Sequence, residues 1–403
     1  MAVHGTATSA FDSVREEFEK NFDERGEVGA SLTVFVDGEP VVDLWGGHAD
    51  VERTRQWDED TIGLVWSCTK GVVATAVHAL VDRGDIDLDA AVTKYWPEFG
   101  KGGKEHITVA QLLSHQAGLE AINREVPAGT IWDRRWITAA LAEQEPLIDP
   151  GTRSGYHAFT FGYLASEILE RVTGASIGEY VRSEIAGPLG ADLWLGLPEE
   201  HFDRVAPTIP AVVAEGAVVH PIYLAAATPG TVQHLMYANI GEYLLESDSL
   251  RAYSAELPST GAVTNARGLA SIYNALAVGG TVDGVRIGSP DSITRASTAV
   301  SASSADRFLT VPTRFGLGYW LAFDNRRFTD NDSDSFVIGR AAFGHVGFGG
   351  SFAFADPDAR LAVAYTMNQQ GGGAALNPRG QSLVDAVYRG LGYRTNAPGC
   401  WVP

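Results

Sequence analysis

Apolar positions recur at helical spacing near the start of the chain. Phe11, Val14, Phe18 and Phe22, with acidic residues between them, predict an amphipathic helix over 9–24. The period then changes. Leu32 to Val36 and Val41 to Trp45 flank Asp37-Gly38, the pattern of a β-hairpin with a tight turn. From Ser67 the positions Val72, Val73, Ala76, Val77, Leu80 and Val81 predict a helix that stops at Gly84. Residues 107–119, 134–143, 160–173, 176–186 and 266–279 also read as helices. Loops rich in glycine and proline, such as Asp149-Pro150-Gly151 and Gly187-Pro188-Leu189-Gly190, separate them. Strand patterns return at Phe315 to Phe323, Phe336 to Ala342, Phe352 to Ala355 and Leu361 to Thr366, and a closing helix spans 380–390. Strands at both ends with helices between predict an α+β fold: an antiparallel sheet built from both chain ends, flanked by helices, with a mostly helical insertion. The expected division is 1–84 plus 310–403 for the sheet domain and 85–309 for the helical one, with the active site at their interface.

Composition narrows the partners. The 403 residues carry a formal charge of −20, which repels nucleic acid and anionic membrane surfaces. Met1 to Ala10 lacks the basic and apolar segments of a signal peptide, and no apolar run reaches membrane-spanning length. The two cysteines, Cys68 and Cys400, lie far apart and suggest no disulfide framework. A cytoplasmic protein with a small-molecule substrate is the expectation; oligomeric state is open.

Candidate chemistry begins at Ser67-Cys68-Thr69-Lys70. Residues three apart share a helix face, so the amine can reach the serine oxygen. A serine needs an adjacent base to become a nucleophile, and a desolvated lysine can serve. The motif alone says little, since about 0.3 matches are expected by chance. Lysine usage adds weight: five of the 30 cationic residues are lysines, none beyond Lys104. Lysine can shed its proton when buried, whereas arginine keeps it. Cys68 reads as a small packing residue.

Other motifs read as structure. Gly174-Ala175-Ser176-Ile177-Gly178 fits G-x-S-x-G, yet a helix precedes Ser176 where a strand is needed, and Glu179 completes a capping box. The ten histidines form no zinc motif. Asp330-Asn331-Asp332-Ser333-Asp334 imitates a calcium loop but has Ser335 where the glycine belongs and Ala341 where the glutamate belongs. No metal or cofactor is implied.

Further segments fall in the order of a known family. Ile107 to His115 with Ala117-Gly118-Leu119, Pro150-Gly151-Thr152 before Tyr156, Gly187-Pro188-Leu189-Gly190, and Phe315 to Tyr319 resemble the serine β-lactamase-like superfamily, in particular its family VIII carboxylesterase branch. The resemblance implies that Tyr156, in Tyr156-His157-Ala158, stands near the serine oxygen and relays its proton if cationic neighbours lower its pKa. Ala158 departs from the family's usual asparagine, which hydrogen-bonds amide substrates, so peptides and β-lactams are disfavoured. K-T-G, the usual third motif, is replaced by His345-Val346-Gly347, where the role of His345 (charge, orientation or substrate contact) is open. The backbone N–H groups of Ser67 and Phe348 are implied as the oxyanion hole. The substrate pocket is assigned to His345, Gly347, Trp66, His157 and Trp320.

The resulting expectation is a serine carboxylesterase acting on small acyl esters through an acyl-enzyme. Ser67 is the nucleophile, and Lys70 with Tyr156 shares the proton network. Two alternatives are open: an amide-cleaving relative (β-lactamase, D-aminoacyl peptidase or acyltransferase) and a non-catalytic binding protein on the same fold.

Overall fold

The structure, a computed structural model, describes residues 2–212, 219–328 and 333–403. The Asp37-Gly38 hairpin forms as the sequence predicts, joining strands Gly29–Val36 and Glu39–Gly47. Both turn residues are left-handed, with φ of 54° and 91°, as the favoured two-residue turn requires. This hairpin seeds a nine-stranded antiparallel sheet. On one side lies Val3–Ala7. On the other follow Leu361–Met367, Phe352–Asp356, Phe343–Val346, Trp320–Leu321, Thr313–Phe315 and Ser301–Ser303. Ser301–Ser303 comes from inside 85–309, so the sheet reaches past the division expected at 309/310.

Side-chain size alternates across the middle of this sheet. Phe352 pairs with Tyr365 and Phe354 with Val363, whereas Ala353 pairs with Ala364 and Ala355 with Ala362. Cross-strand partners share a face, so one face is bulky and the other smooth. The bulky face packs on the terminal helices Asp12–Glu24 and Pro378–Gly390, with Phe354 stacked on Tyr388. The smooth face lets helix Ala266–Ala277 come close, and its first N–H donates to the Ser31 hydroxyl.

Several elements differ from the sequence pattern, each for a local reason. The helix expected over 107–119 is only Val109–Leu113. The Ser114 hydroxyl donates to the Ala110 carbonyl, and His115 takes a left-handed φ of 61°, which ends the helix. The expected strand 315–323 is broken by a turn with Gly318 at φ 89°. Residues 336–342 form no ladder, because Phe336 bridges to Phe323 while Gly339 bridges to Trp401. The strand lies just beyond, at Phe343–Val346. The helices Pro221–Ala226, Val232–Glu246 and Pro290–Ser297 were not expected from the pattern. A second sheet of short strands, Leu193–Leu195, Ala262–Thr264, Ile62–Leu64 and Val205–Ala206, was likewise missed. The calcium-like run at 330–332 lies outside the described residues. No described helix is long and apolar enough to cross a membrane.

Candidate active site

Strand Ile62–Leu64 runs into helix Cys68–Arg83 through Trp66, which sits at φ 49°. A bulky residue is rarely left-handed, and such strain gathers at functional turns. The surroundings hold the turn in place: the Thr69 hydroxyl donates to the Trp66 carbonyl at 2.6 Å and accepts the Ala262 N–H at 2.9 Å. Ser67 therefore arrives at the helix mouth with its hydroxyl free of capping, since it accepts no backbone N–H there.

One turn on, Lys70 Nζ lies 2.8 Å from Ser67 Oγ and 2.9 Å from the Ser259 carbonyl. Lys70 is wholly buried, and among the described residues no carboxylate pairs with it. Burial without a counter-ion pushes its pKa well below the ordinary lysine range. The neutral amine, with its lone pair available to the serine, is the favoured form. Ser259 is held in turn: its hydroxyl accepts the Gly162 N–H at 2.8 Å and donates to the Phe159 carbonyl. The sequence reading missed Ser259 because it acts through its backbone carbonyl, which no motif marks.

Tyr156 lies beside this pair, its ring centre 5.1 Å from Lys70 Nζ. Burial pushes its phenol well above the ordinary tyrosine range, against a smaller opposing influence from Ser67. This corrects the expectation that cationic neighbours would lower it: the neighbouring lysine is itself neutral. Tyr156 is a protonated phenol.

His345 is on strand Phe343–Val346, in register with Ala353, and points from the smooth face. Its Nδ1 meets the Val346 carbonyl at 2.7 Å. A carbonyl only accepts, so Nδ1 carries the proton and Nε2 holds the lone pair, with no partner among the described residues. Burial lowers its pKa well below the usual histidine range. His345 is thus neutral. It stands behind the pocket, 6.0 Å from the Tyr156 ring and 5.4 Å from that of Trp320, and does not line the cavity.

His157 corrects the sequence assignment outright. Its Nε2 accepts the Leu119 N–H at 3.1 Å and its Nδ1 donates to the Gly155 carbonyl at 2.6 Å. Both nitrogens are used by the backbone, in a fully buried setting. It braces the loop that carries Tyr156 and does not reach a substrate.

The other assigned residues meet at one pocket, partly open to solvent. Trp66, Ser67, Tyr156, Trp320, Gly347 and Phe348 all line it. Among the described residues, neither the Ser67 nor the Phe348 N–H meets an acceptor, and both residues line the pocket. Gly347 is required by crowding, because a Cβ there would overlap the Val65 carbonyl. The remaining wall includes Ala158, Ile222, Met236, Ile240, Leu244 and Phe308 together with Tyr223, Tyr237, Tyr243 and Thr260, with no charged side chain among the described lining residues.

Ser176, the other serine in a nucleophile-like motif, is a cap. It accepts the Glu179 N–H at 3.2 Å, and Glu179 accepts its N–H at 2.9 Å. The Ser176 hydroxyl donates to Glu256.

Residues 14–387 match the sequence profile of the Beta-lactamase family. "Esterase/beta-lactamase LipL" of Mycobacterium tuberculosis is 36% identical over 374 residues, covering 91% of this chain and 83% of that protein. The crystal structure of a family VIII carboxylesterase superposes with a TM-score of 0.83 at 38% identity, covering 97% of this chain and all of the other. A penicillin-binding protein homolog from Caulobacter crescentus gives the same TM-score at 37% identity, with coverage of 97% and 100%. With the serine–lysine pair at the helix mouth and near-complete overlap with these relatives, the chain belongs to the beta-lactamase family and has the fold of its esterase and β-lactamase hydrolases.

Proposed function

We propose that the protein hydrolyses uncharged carboxylic esters of small apolar acyl groups through an acyl-enzyme on Ser67. The observation that carries this is Lys70: fully buried, without a carboxylate, and 2.8 Å from the serine oxygen. Neutral Lys70 takes the Ser67 proton as the oxygen attacks the ester carbonyl. The Ser67 and Phe348 N–H groups receive the developing oxyanion. Tyr156 gives its proton to the departing alkoxide and is reprotonated from Lys70, leaving acyl-serine, a free alcohol and the resting proton network. Water then attacks the acyl group, its proton passing to the lysine–tyrosine pair, and Ser67 leaves reprotonated with release of the acid.

The pocket wall supports esters over β-lactams and peptides. Ala158, where amide-cleaving relatives carry an amide-binding asparagine, lines the cavity with a methyl group, and among the described residues no charged lining residue offers itself to a substrate carboxylate. The test compares p-nitrophenyl butyrate with nitrocefin. Butyrate turnover is expected to dominate and to fall on the order of 10⁴-fold in Ser67→Ala. Fast nitrocefin turnover with inert esters would sink the ester reading. An active-site fluorophosphonate adduct that maps elsewhere than Ser67 would sink the nucleophile.

A further inference from the structure

Behind Tyr156 lies a buried carboxylate that the proposed chemistry leaves unused. Asp306 is 1% exposed. Its Oδ1 accepts three backbone N–H groups: Tyr156 at 3.0 Å, Phe308 at 2.9 Å and Leu309 at 2.9 Å. Its Oδ2 has no partner among the described residues. Tyr156, Phe308 and Leu309 all line the pocket, and the Phe308 ring lies 6.3 Å from that of Tyr156.

We infer that Asp306 is a positioning residue for Tyr156: one buried carboxylate oxygen ties the tyrosine's backbone to the pocket wall beside it, across 150 residues of chain. The inference rests on the proposed role of Tyr156 as the acid for the leaving group. Part of the loop's fold comes from its own backbone bonds. The Asp306 N–H donates to the Val311 carbonyl, and the Thr310 N–H donates back to the Asp306 carbonyl. The carboxylate's bonds to Phe308 and Leu309 stay within the loop, whereas its bond to Tyr156 N–H reaches outside it, and an ionised acceptor binds N–H groups about twice as strongly as a neutral one.

The charge also acts on the phenol. Asp306 is among the groups that keep the Tyr156 proton in place. Burial raises the Asp306 carboxyl to about 6, the three N–H bonds opposing and nearby Glu120 adding to it. The charged and titratable groups around it are Glu120, fully buried and bonded to Arg307 at 2.8 Å, together with His157 and Tyr156. Beyond Tyr156 come His115, His345 and neutral Lys70.

The test measures kcat/KM for ethyl butyrate and p-nitrophenyl butyrate in wild type, Tyr156→Phe, Asp306→Ala and Asp306→Asn. An alkoxide needs protonation to leave, whereas p-nitrophenolate departs unaided, so the alkyl-to-aryl ratio isolates the acid. Tyr156→Phe is expected to lower this ratio by about 10²-fold, and Asp306→Ala by about tenfold. Asp306→Asn, which keeps a neutral acceptor oxygen, is expected to lower it by about threefold. In wild type the ratio should fall by a similar factor as pH drops through about 6, and Asp306→Asn should remove that inflection. Lys70 titration cancels, since both esters need its free amine.

Equal losses on both esters in the Asp306 variants would mean the aspartate only supports folding, and overturn the proposal. A bias in Tyr156→Phe with none in the Asp306 variants overturns it too, but leaves the role of Tyr156 standing. No bias in Tyr156→Phe takes down that role and the proposal together, while ester turnover by Ser67 survives. If Asp306→Ala fails to fold, Asp306→Asn and the pH dependence decide: a ratio flat in pH, or an inflection kept in Asp306→Asn, overturns the proposal.

Discussion

Lys70 shows how a single residue can trade stability for chemistry. The unfolded chain keeps this amine protonated over a pH range where the folded chain refuses the proton. Over that range the site stabilises the fold more as pH rises and costs most at low pH. Lys70→Met, of similar length and without the amine, is therefore expected to melt higher in neutral buffer and to be inactive. The pH dependence of Ser67 labelling by a fluorophosphonate checks the same point. Its rise should lie well below the ordinary lysine range, because the free amine is the reactive form. No alkaline fall should appear in the ordinary tyrosine range, because burial holds the Tyr156 proton. A fall there would show that a phenolate forms and that Tyr156 is not the resting acid. Scarcity of lysine pointed to Lys70, yet Lys104 is equally hidden and only structural, donating to the carbonyls of Lys101, Ala142 and Gln144. Rarity does not separate the two; the serine three residues away does. His157 also misled, since a histidine next to the key tyrosine looks like a substrate contact until both its nitrogens are seen bonded to backbone.

At the scale of elements, those with a clear stop signal were legible, and those without one or very short were not. Helix Cys68–Arg83 and its Gly84 stop follow from pattern and cap alone. Helix Val232–Glu246 buries Val232, Gln233, Met236, Ile240 and Tyr243, and its Met236, Tyr237, Ile240, Tyr243 and Leu244 line the pocket. With apolar residues on several sides, its period is blurred. The three-residue strands of the small sheet are too short to carry any period at all. Within the nucleophile helix, Gly71 matters for closeness. A Cβ there would overlap the Tyr273 hydroxyl and touch His345. Gly71→Ala gains helix propensity, yet is expected to lower stability by about 1–3 kcal/mol in urea unfolding, with a loss of activity beyond that. The cap at Ser176 gives the contrasting case: Ser176→Ala should cost about 1 kcal/mol and leave kcat/KM unchanged. An activity loss there would revive the second serine motif.

At the scale of the molecule, the sheet joins the ends of the chain. Ala30 pairs with Met367 and Val36 with Leu361, a closure the sequence predicted from strand patterns at both ends. Which helices belong to which layer was not legible, because the alternation of Phe and Ala along Phe352–Asp356 tells of two faces without saying what covers them. The site inherits this long closure. Ser67 and Lys70 come early, Tyr156 follows, and Phe348 arrives only with the strands that complete the sheet.

That arrangement makes catalysis a clock for folding. Contacts between distant parts of a chain form slowly, after local helices. In refolding from urea, the helical signal should return first, and fluorophosphonate labelling of Ser67 only with the slowest phase. A labelled species in the early phase would show that half the sheet suffices. Otherwise the growing chain is harmless to esters throughout synthesis, and gains its reactive serine only when its last strands lock against its first.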